Sequence, residues 1–301
     1  MPILFDSFSE WGEWCREHGS APWEAVLSYE MEQRGRSEQE IWDRLDQAFV
    51  VMKDAVHTGL EEDMTSVSGM IRNGAKKVRD AKVSVLGENF QKLIYYTLAA
   101  KEVNSCMGRI VAAPTAGASG IMPGVLTTIE ELHQIPRRTL LEGMLIAAGI
   151  ALIIERRASI SGAVGGCQAE TGTAAAMGAG AVVWCLGGDL EMIFESVAIT
   201  LMNMLGLVCD PVAGLVEVPC VKRNSSASVI AFAAAQIALS GDSAVIPVDE
   251  VVDAMGEVGA SMELRYKETA LGGIANTPTA RAIEKKVLVQ EAEEVENDLV
   301  S

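Results

Sequence analysis

TGTAAAMGAGAVVWCLGG, residues 171–188, carries no charged side chain from end to end. Glycine, alanine and threonine dominate it, and these residues gain little on transfer into lipid, so the stretch is too weakly apolar for a membrane span. Small side chains let helix backbones approach closely, and the stretch reads as a helix buried on all sides. A second apolar run, GMLIAAGIALII at 143–154, is too short to cross a bilayer and reads the same way. Two such helices in one chain set the fold class: mainly α, a single helical domain with glycine-rich loops.

The rest of the composition agrees. The 301 residues are 49% hydrophobic but only 5% aromatic, and 28 are glycine. Mean hydropathy is +0.23, high for a soluble chain of this size. A formal charge of −17 disfavours nucleic acid and anionic membrane as partners, since phosphates would be repelled. The start, MPILFDSFSEWGEWC, has acidic residues where a signal peptide needs basic ones, so a cytoplasmic protein with reduced thiols is expected.

No internal repeat or linker divides the chain, and one domain over 1–301 is expected. A charged helical part covers about 1–88, a small-residue helical core about 89–285, and an acidic tail that frays about 286–301. Within the first part, Ser37 and Glu40 form a capping box ahead of Ile41, Leu45, Phe49, Met52 and Val56 at helical spacing. A looser segment spans 61–88, and KVSVL at 82–86 is the best candidate for a strand. Helices are expected around 89–107 and from 247 onward, with Val251, Val252, Met255 and Val258 inward. Glycine-rich breaks at 114–124, 161–166, 186–188 and 209–219 divide the core.

Six cysteines fall into two groups. Cys15, Cys106 and Cys185 sit in helical patterns and read as small buried hydrophobes. Cys167, Cys209 and Cys220 each lie at a break: SGAVGGCQAE, LVCDPVAG and VEVPCVKRN. Loop and helix-end positions free backbone N–H groups to point at sulfur, which suits a metal cluster. No CxxC pair occurs, so spacing alone leaves buried thiols and a metal site both open. Three thiolates on a four-iron cluster would leave one iron open, which suits Lewis-acid chemistry better than electron transfer.

A second constellation, VAAPTAGASGIMPG at 111–124, puts Thr115, Gly117, Ser119 and Gly120 in one short loop. Its N–H groups could seat a carboxylate or phosphate, or it could be a plain helix–helix turn. His18, His57 and His133 lie among charged residues and are expected to face solvent, which gives a Ser/His/Asp hydrolase no support. Glu170, three residues after Cys167, reads either as a helix N-terminal charge or as a supporting group beside the thiol.

APTAGASGIMPGVL, ASISGAVGGCQAETG, NMLGLVCDPVAGLVEVPCVKRN and KETALGGIANTPTAR together resemble the α chain of iron–sulfur-dependent L-serine dehydratase, an L-serine ammonia-lyase. The resemblance runs from roughly 30 to 285, and 203–224 carries most of it. It implies that Cys167, Cys209 and Cys220 are the three protein ligands of an oxygen-sensitive [4Fe–4S] cluster. It further implies a substrate role for the loop of Thr115, Gly117 and Ser119, and places Asn104, Arg223 and Asn224 in matching stretches. The implied reaction removes the Cα proton and the β-hydroxyl of L-serine, and the aminoacrylate collapses through its imine to pyruvate and ammonia. No base is assigned.

Two departures from the family pattern stand out. Ala116 occupies a position where many relatives have Asn, so one side-chain contact is lost or passes to backbone. Single-chain relatives carry a further domain with an SSSHT-like motif, and some end in cysteine; neither the motif nor a terminal cysteine occurs here. A separate β chain within an oligomer is therefore expected. Two other readings compete. One is a pyridoxal-phosphate lyase with PTAGASG on the phosphate and Lys222 as the best candidate for a Schiff base. The other is a non-catalytic, cluster-stabilised binding subunit.

Overall fold

The computed structural model describes residues 6–85 and 87–300, with side chains up to 289. Helices α1 (Phe8–His18), α2 (Pro22–Arg34) and α3 (Glu38–Glu61) form the charged N-terminal part. Ser37 caps α3, accepting from Glu40 N while the Glu40 carboxylate accepts from Ser37 N at 2.8 Å. Ile41, Phe49, Met52 and Val56 of that helix are buried, as their spacing predicts. The segment after it holds one short helix, α4 (Gly74–Arg79), and leads into α5 (Glu88–Ser105). Residues 82–85, expected as most of a strand, are irregular, and Val83 and Val85 are exposed with no sheet to join; Leu86 lies outside the described residues. Among those residues there is no named strand, only isolated bridges between Thr65 and Arg72 and between Cys209 and Lys267.

The core follows with α6 (Ile121–His133), α7 (Arg137–Arg157), the single turn α8 (Gly162–Gly165), α9 (Thr173–Cys185) and α10 (Leu190–Met202). Then come α11 (Cys220–Leu239), α12 (Val248–Ser261) and α13 (Pro278–Val300), the last carrying the backbone of the acidic tail through Val300. The break expected at 114–124 ends at Gly120. Residues 121–124 are the first turn of α6, where Pro123 needs no N–H partner. Likewise α8 sits inside the expected break at 161–166.

Helix α9 is the axis of the molecule. It packs against α7, α10, α11 and α6, and every residue in it except Trp184 is buried. A helix apolar all round belongs inside a bundle, as its composition predicts. A second hub, α5, packs against α3, α4, α6 and α11. On α12, Val251, Val252 and Met255 are buried, and Val258 is half-buried. No helix among the described residues is long and apolar enough to cross a membrane. The α5 and α9 hubs meet α11 at one end of the bundle, where the glycine-rich loops collect.

Candidate active site

Cys167, Cys209 and Cys220 arrive from three separate segments and all are buried. Cys167 precedes a π-helical turn, Gln168–Gly172, that runs into α9. Single π-turns inside α-helices are frequent at functional sites, since they displace side chains from the regular ladder. Its Sγ lies 2.9 Å from Thr171 Oγ1. Cys209 sits in an extended turn and is held on both sides, its N–H donating to Tyr266 O and its carbonyl accepting from Glu268 N, each at 2.8 Å. Cys220 opens α11, directly after Pro219, where the helix dipole favours negative charge.

Arg223 and Gln168 lock these turns together. The Arg223 Nη1 donates to Val208 O at 2.7 Å and pairs with Asp210 at 2.8 Å, so it clamps the Cys209 turn from α11. Asp210 in turn accepts from Ile274 N at 2.6 Å, which fixes the KETALGGIANT segment over the same turn. Gln168 N donates to Leu207 O at 2.9 Å, and its side chain accepts from Gly206 N at 2.8 Å.

The loop 115–120 closes one side. Thr115 Oγ1 donates to Glu170 Oε1. Asn224 donates to Gly117 O at 2.9 Å and to Cys220 O at 2.9 Å, and accepts from Gly120 N at 3.0 Å. One amide thus joins the loop to the cysteine turn. Asn104 accepts from Lys101, which also donates to Ala116 O at 2.9 Å. Ser119 Oγ is fully buried and makes no hydrogen bond among the described residues. A methyl group on Gly117 would lie 2.5 Å from the Glu170 carboxylate, so only glycine allows the loop to come this near.

All six residues that the resemblance offered as substrate contacts lie within this network. Thr115, Gly117 and Ser119 are the loop itself. Arg223 and Asn224 hold turns and loop in place, and Asn104 accepts from the Lys101 ammonium that also reaches the loop. Glu170 acts as Thr115's acceptor rather than only as a helix charge. Lys222, by contrast, is exposed on α11. The three histidines are exposed, as expected. Cys15 and Cys185 are buried, whereas Cys106 is only half-buried.

Three further groups escaped the sequence reading. Lys101 is fully buried on α5. Glu217, also buried, accepts from Ser66 Oγ at 2.5 Å, from Ser68 N at 3.2 Å and from Ser68 Oγ, drawing the 66–68 loop against the Cys220 turn. Glu268 has a left-handed backbone, φ 62°, beside Cys209. An oxygen of Glu268 and one of Glu170 each come within 3.5 Å of the space that a Gly162 side chain would take. Left-handed non-glycine residues are uncommon and gather at functional sites, but φ is not readable from a single sequence.

Electrostatics complete the geometry. Burial pushes all three thiols up, Cys220 to about 12, and the charge of Cys167 is felt by both Cys209 and Cys220. Burial likewise raises Glu268, helped by the nearby Glu170. Among the described residues no three His, Cys, Asp or Glu side chains converge closely enough to hold one metal ion. Three buried thiols are a donor set of the kind that iron–sulfur clusters take. At Gly162 an added Cβ would stand 3.0 Å from Cys209 Sγ, so glycine is what lets α8 lie this close to that thiol.

The family model described as "Serine dehydratase alpha chain" matches residues 17–275. This chain belongs to the serine dehydratase alpha chain family. It is 43% identical over 268 residues to the probable L-serine dehydratase, alpha chain, of Bacillus subtilis, covering 88% of this chain and 89% of that one. It is 42% identical over 277 residues to the L-serine dehydratase, alpha chain, of Peptoniphilus asaccharolyticus, covering 91% and 95%. L-serine dehydratase 1 of Escherichia coli is 35% identical over 285 residues, which cover 91% of this chain but 62% of that longer protein. The family match spans all three site cysteines, the 115–120 loop and the segment at 264–275 that covers the Cys209 turn.

Proposed function

We propose that this chain is the catalytic α subunit of a cytoplasmic L-serine dehydratase, which converts L-serine to pyruvate and ammonia. Cys167, Cys209 and Cys220 would hold a [4Fe–4S] cluster. When bound, that group supplies a Lewis acid for the β-hydroxyl, the poor leaving group of the reaction, through the iron that has no protein thiolate. The observation that carries this reading is the meeting of three buried cysteines from separate segments with the Thr115–Gly120 loop.

The chain's own residues account for binding and orientation. Thr115 is fixed by Glu170, and the Gly117 and Gly120 backbone by Asn224, so the loop is set before an amino acid arrives. Ser119 keeps a buried hydroxyl with unspent hydrogen-bonding capacity. The raised thiols release their protons when metal binds, as all thiolate ligation requires. A β chain, as the names of the alpha-chain relatives suggest, would close the open side of the site within an oligomer. Closure keeps bulk water away from the reacting centre.

Anaerobic purification tests the reading: a brown, serine-dehydrating protein that bleaches in air supports it. A pyridoxal-phosphate enzyme gains one supporting observation, since Lys101 is the buried lysine that such an enzyme needs. A yellow, air-stable protein inactivated by borohydride would favour that reading. Iron without turnover, even with a β chain present, would favour a binding subunit.

A further inference from the structure

Besides Glu170, which accepts from the Thr115 side chain, two side chains hold the backbone of the Thr115–Gly120 loop, and only one of these two is charged. Asn224 does so with a neutral amide. Lys101 does so with an ammonium that is fully buried, donating to Asn104 Oδ1 at 2.5 Å and Ala116 O at 2.9 Å. Both acceptors are uncharged, and among the described residues no carboxylate lies within ion-pair distance of Lys101. Burying an ammonium is costly, and neutral acceptors repay only part of that. A second amide could hold the loop more cheaply. The charge therefore needs a reason of its own. The groups whose charge it feels, strongest first, are Cys220, Glu170, Cys167 and Glu217. Two of these are site thiols, and Glu170 is the acceptor for Thr115.

We infer that Lys101 is a positioning residue that both holds the substrate loop through Ala116 and places a positive charge beside the three-cysteine site. The inference rests on the serine dehydratase reading proposed above. Two consequences follow from a cation there. The carboxylate of an amino acid seated on the loop is bound more tightly than the matching amide. A cluster held by the thiols takes an electron more easily, because nearby positive charge stabilises the reduced form.

The experiment uses the anaerobically prepared holoenzyme, with its β chain, in wild-type and Lys101→Met forms. Iron and sulfide content, the cluster midpoint potential by EPR-monitored titration, and inhibition by L-alanine and by L-alaninamide are measured. Neither inhibitor carries a hydroxyl to eliminate, and they differ in the carboxylate charge. Lys101→Met is expected to retain iron, to shift to a lower potential, and to weaken L-alanine binding about tenfold more than it weakens L-alaninamide binding, the weight of one charged contact beyond the loss of the loop hold. Unchanged potential and unchanged L-alanine binding would overturn the inference. So would equal weakening of both inhibitors, which marks loss of shape rather than of charge. Lys101→Gln, which keeps a donor without the charge, must lose the same preference for L-alanine over L-alaninamide as Lys101→Met; a wild-type preference in this variant would also overturn it. A wild-type enzyme that lacks iron or serine turnover would sink the underlying reading itself, and that result is visible before any variant is made.

Discussion

Cys209 shows what each ligand residue must survive: its turn is tied by backbone hydrogen bonds to Tyr266 and Glu268 and clamped by Arg223. Replacing its sulfur by oxygen therefore leaves the turn in place and removes only the ligand. Cys167→Ser, Cys209→Ser and Cys220→Ser are each expected to lose iron and serine turnover. Cys15→Ser, Cys106→Ser and Cys185→Ser should keep both, at about 1–3 kcal/mol of stability if the hydroxyl stays unpaired. Iron analysis beside chemical denaturation separates the two groups. Thr115→Ala should retain iron but lower turnover or affinity by about one to two orders of magnitude, the worth of a charge-assisted hydrogen bond. Steady-state kinetics on an iron-replete preparation reads this, and unchanged constants would make the loop purely structural. Lys101 carries a pH signature. Burial lowers it to about 8 from the ordinary 10.5, so between those values the unfolded chain holds more protons. Stability of the metal-free wild type should thus rise relative to Lys101→Met from pH 8 to 10.5, by about 3 kcal/mol at most. A flat difference across that range would show that the ammonium is not buried as described. The cysteines and the loop were legible in sequence because each stands at a glycine or proline break. Lys101 was not, since it lies in an unbroken helix and only the packing around it reveals that it points inward.

Helix α5 positions Lys101 and Asn104, and α3 positions α5. At their closest approach a side chain on Gly59 would overlap the Ala99 carbonyl. Gly59→Ala is therefore expected to destabilise by about 1–3 kcal/mol through overpacking, despite alanine's better helix propensity, and to weaken serine binding by shifting α5. Gly256→Ala on α12 is the contrast, with its nearest neighbour at 3.4 Å. That change should be neutral or stabilising by up to about 1 kcal/mol. Urea melts of the two variants, with similar costs in both, would contradict this packing account. Element by element, the helices with strong local signals matched expectation: the Ser37–Glu40 box began α3, and uniform small apolar residues marked α9. The expected strand at 82–86 failed because alternation in a short stretch carries no information about whether a partner strand exists. Breaks were drawn too wide at Ile121–Gly124 because proline and glycine are also tolerated in a first helical turn.

At the scale of the whole molecule, one end of the bundle gathers residues distant in sequence, from Ser66 to Ile274. That convergence is a tertiary property, which spacing alone left undecided between inert thiols and a metal site. The segment at 66–68, drawn in by Glu217, supplies part of a wall on the Cys220 side. A β chain is expected to complete it. Pyruvate formation from L-serine by the cluster-reconstituted chain should therefore need the partner, and robust turnover by this chain alone would end the two-chain account. The central claim lies one step earlier, in what the three cysteines hold. Iron and acid-labile sulfide, assayed on the anaerobically purified chain alongside Cys220→Ser, test it most directly. The account predicts close to four of each per wild-type chain, as a [4Fe–4S] cluster requires, and almost none in the variant. A wild-type chain without iron, or a Cys220→Ser chain that keeps all of it, would contradict the account.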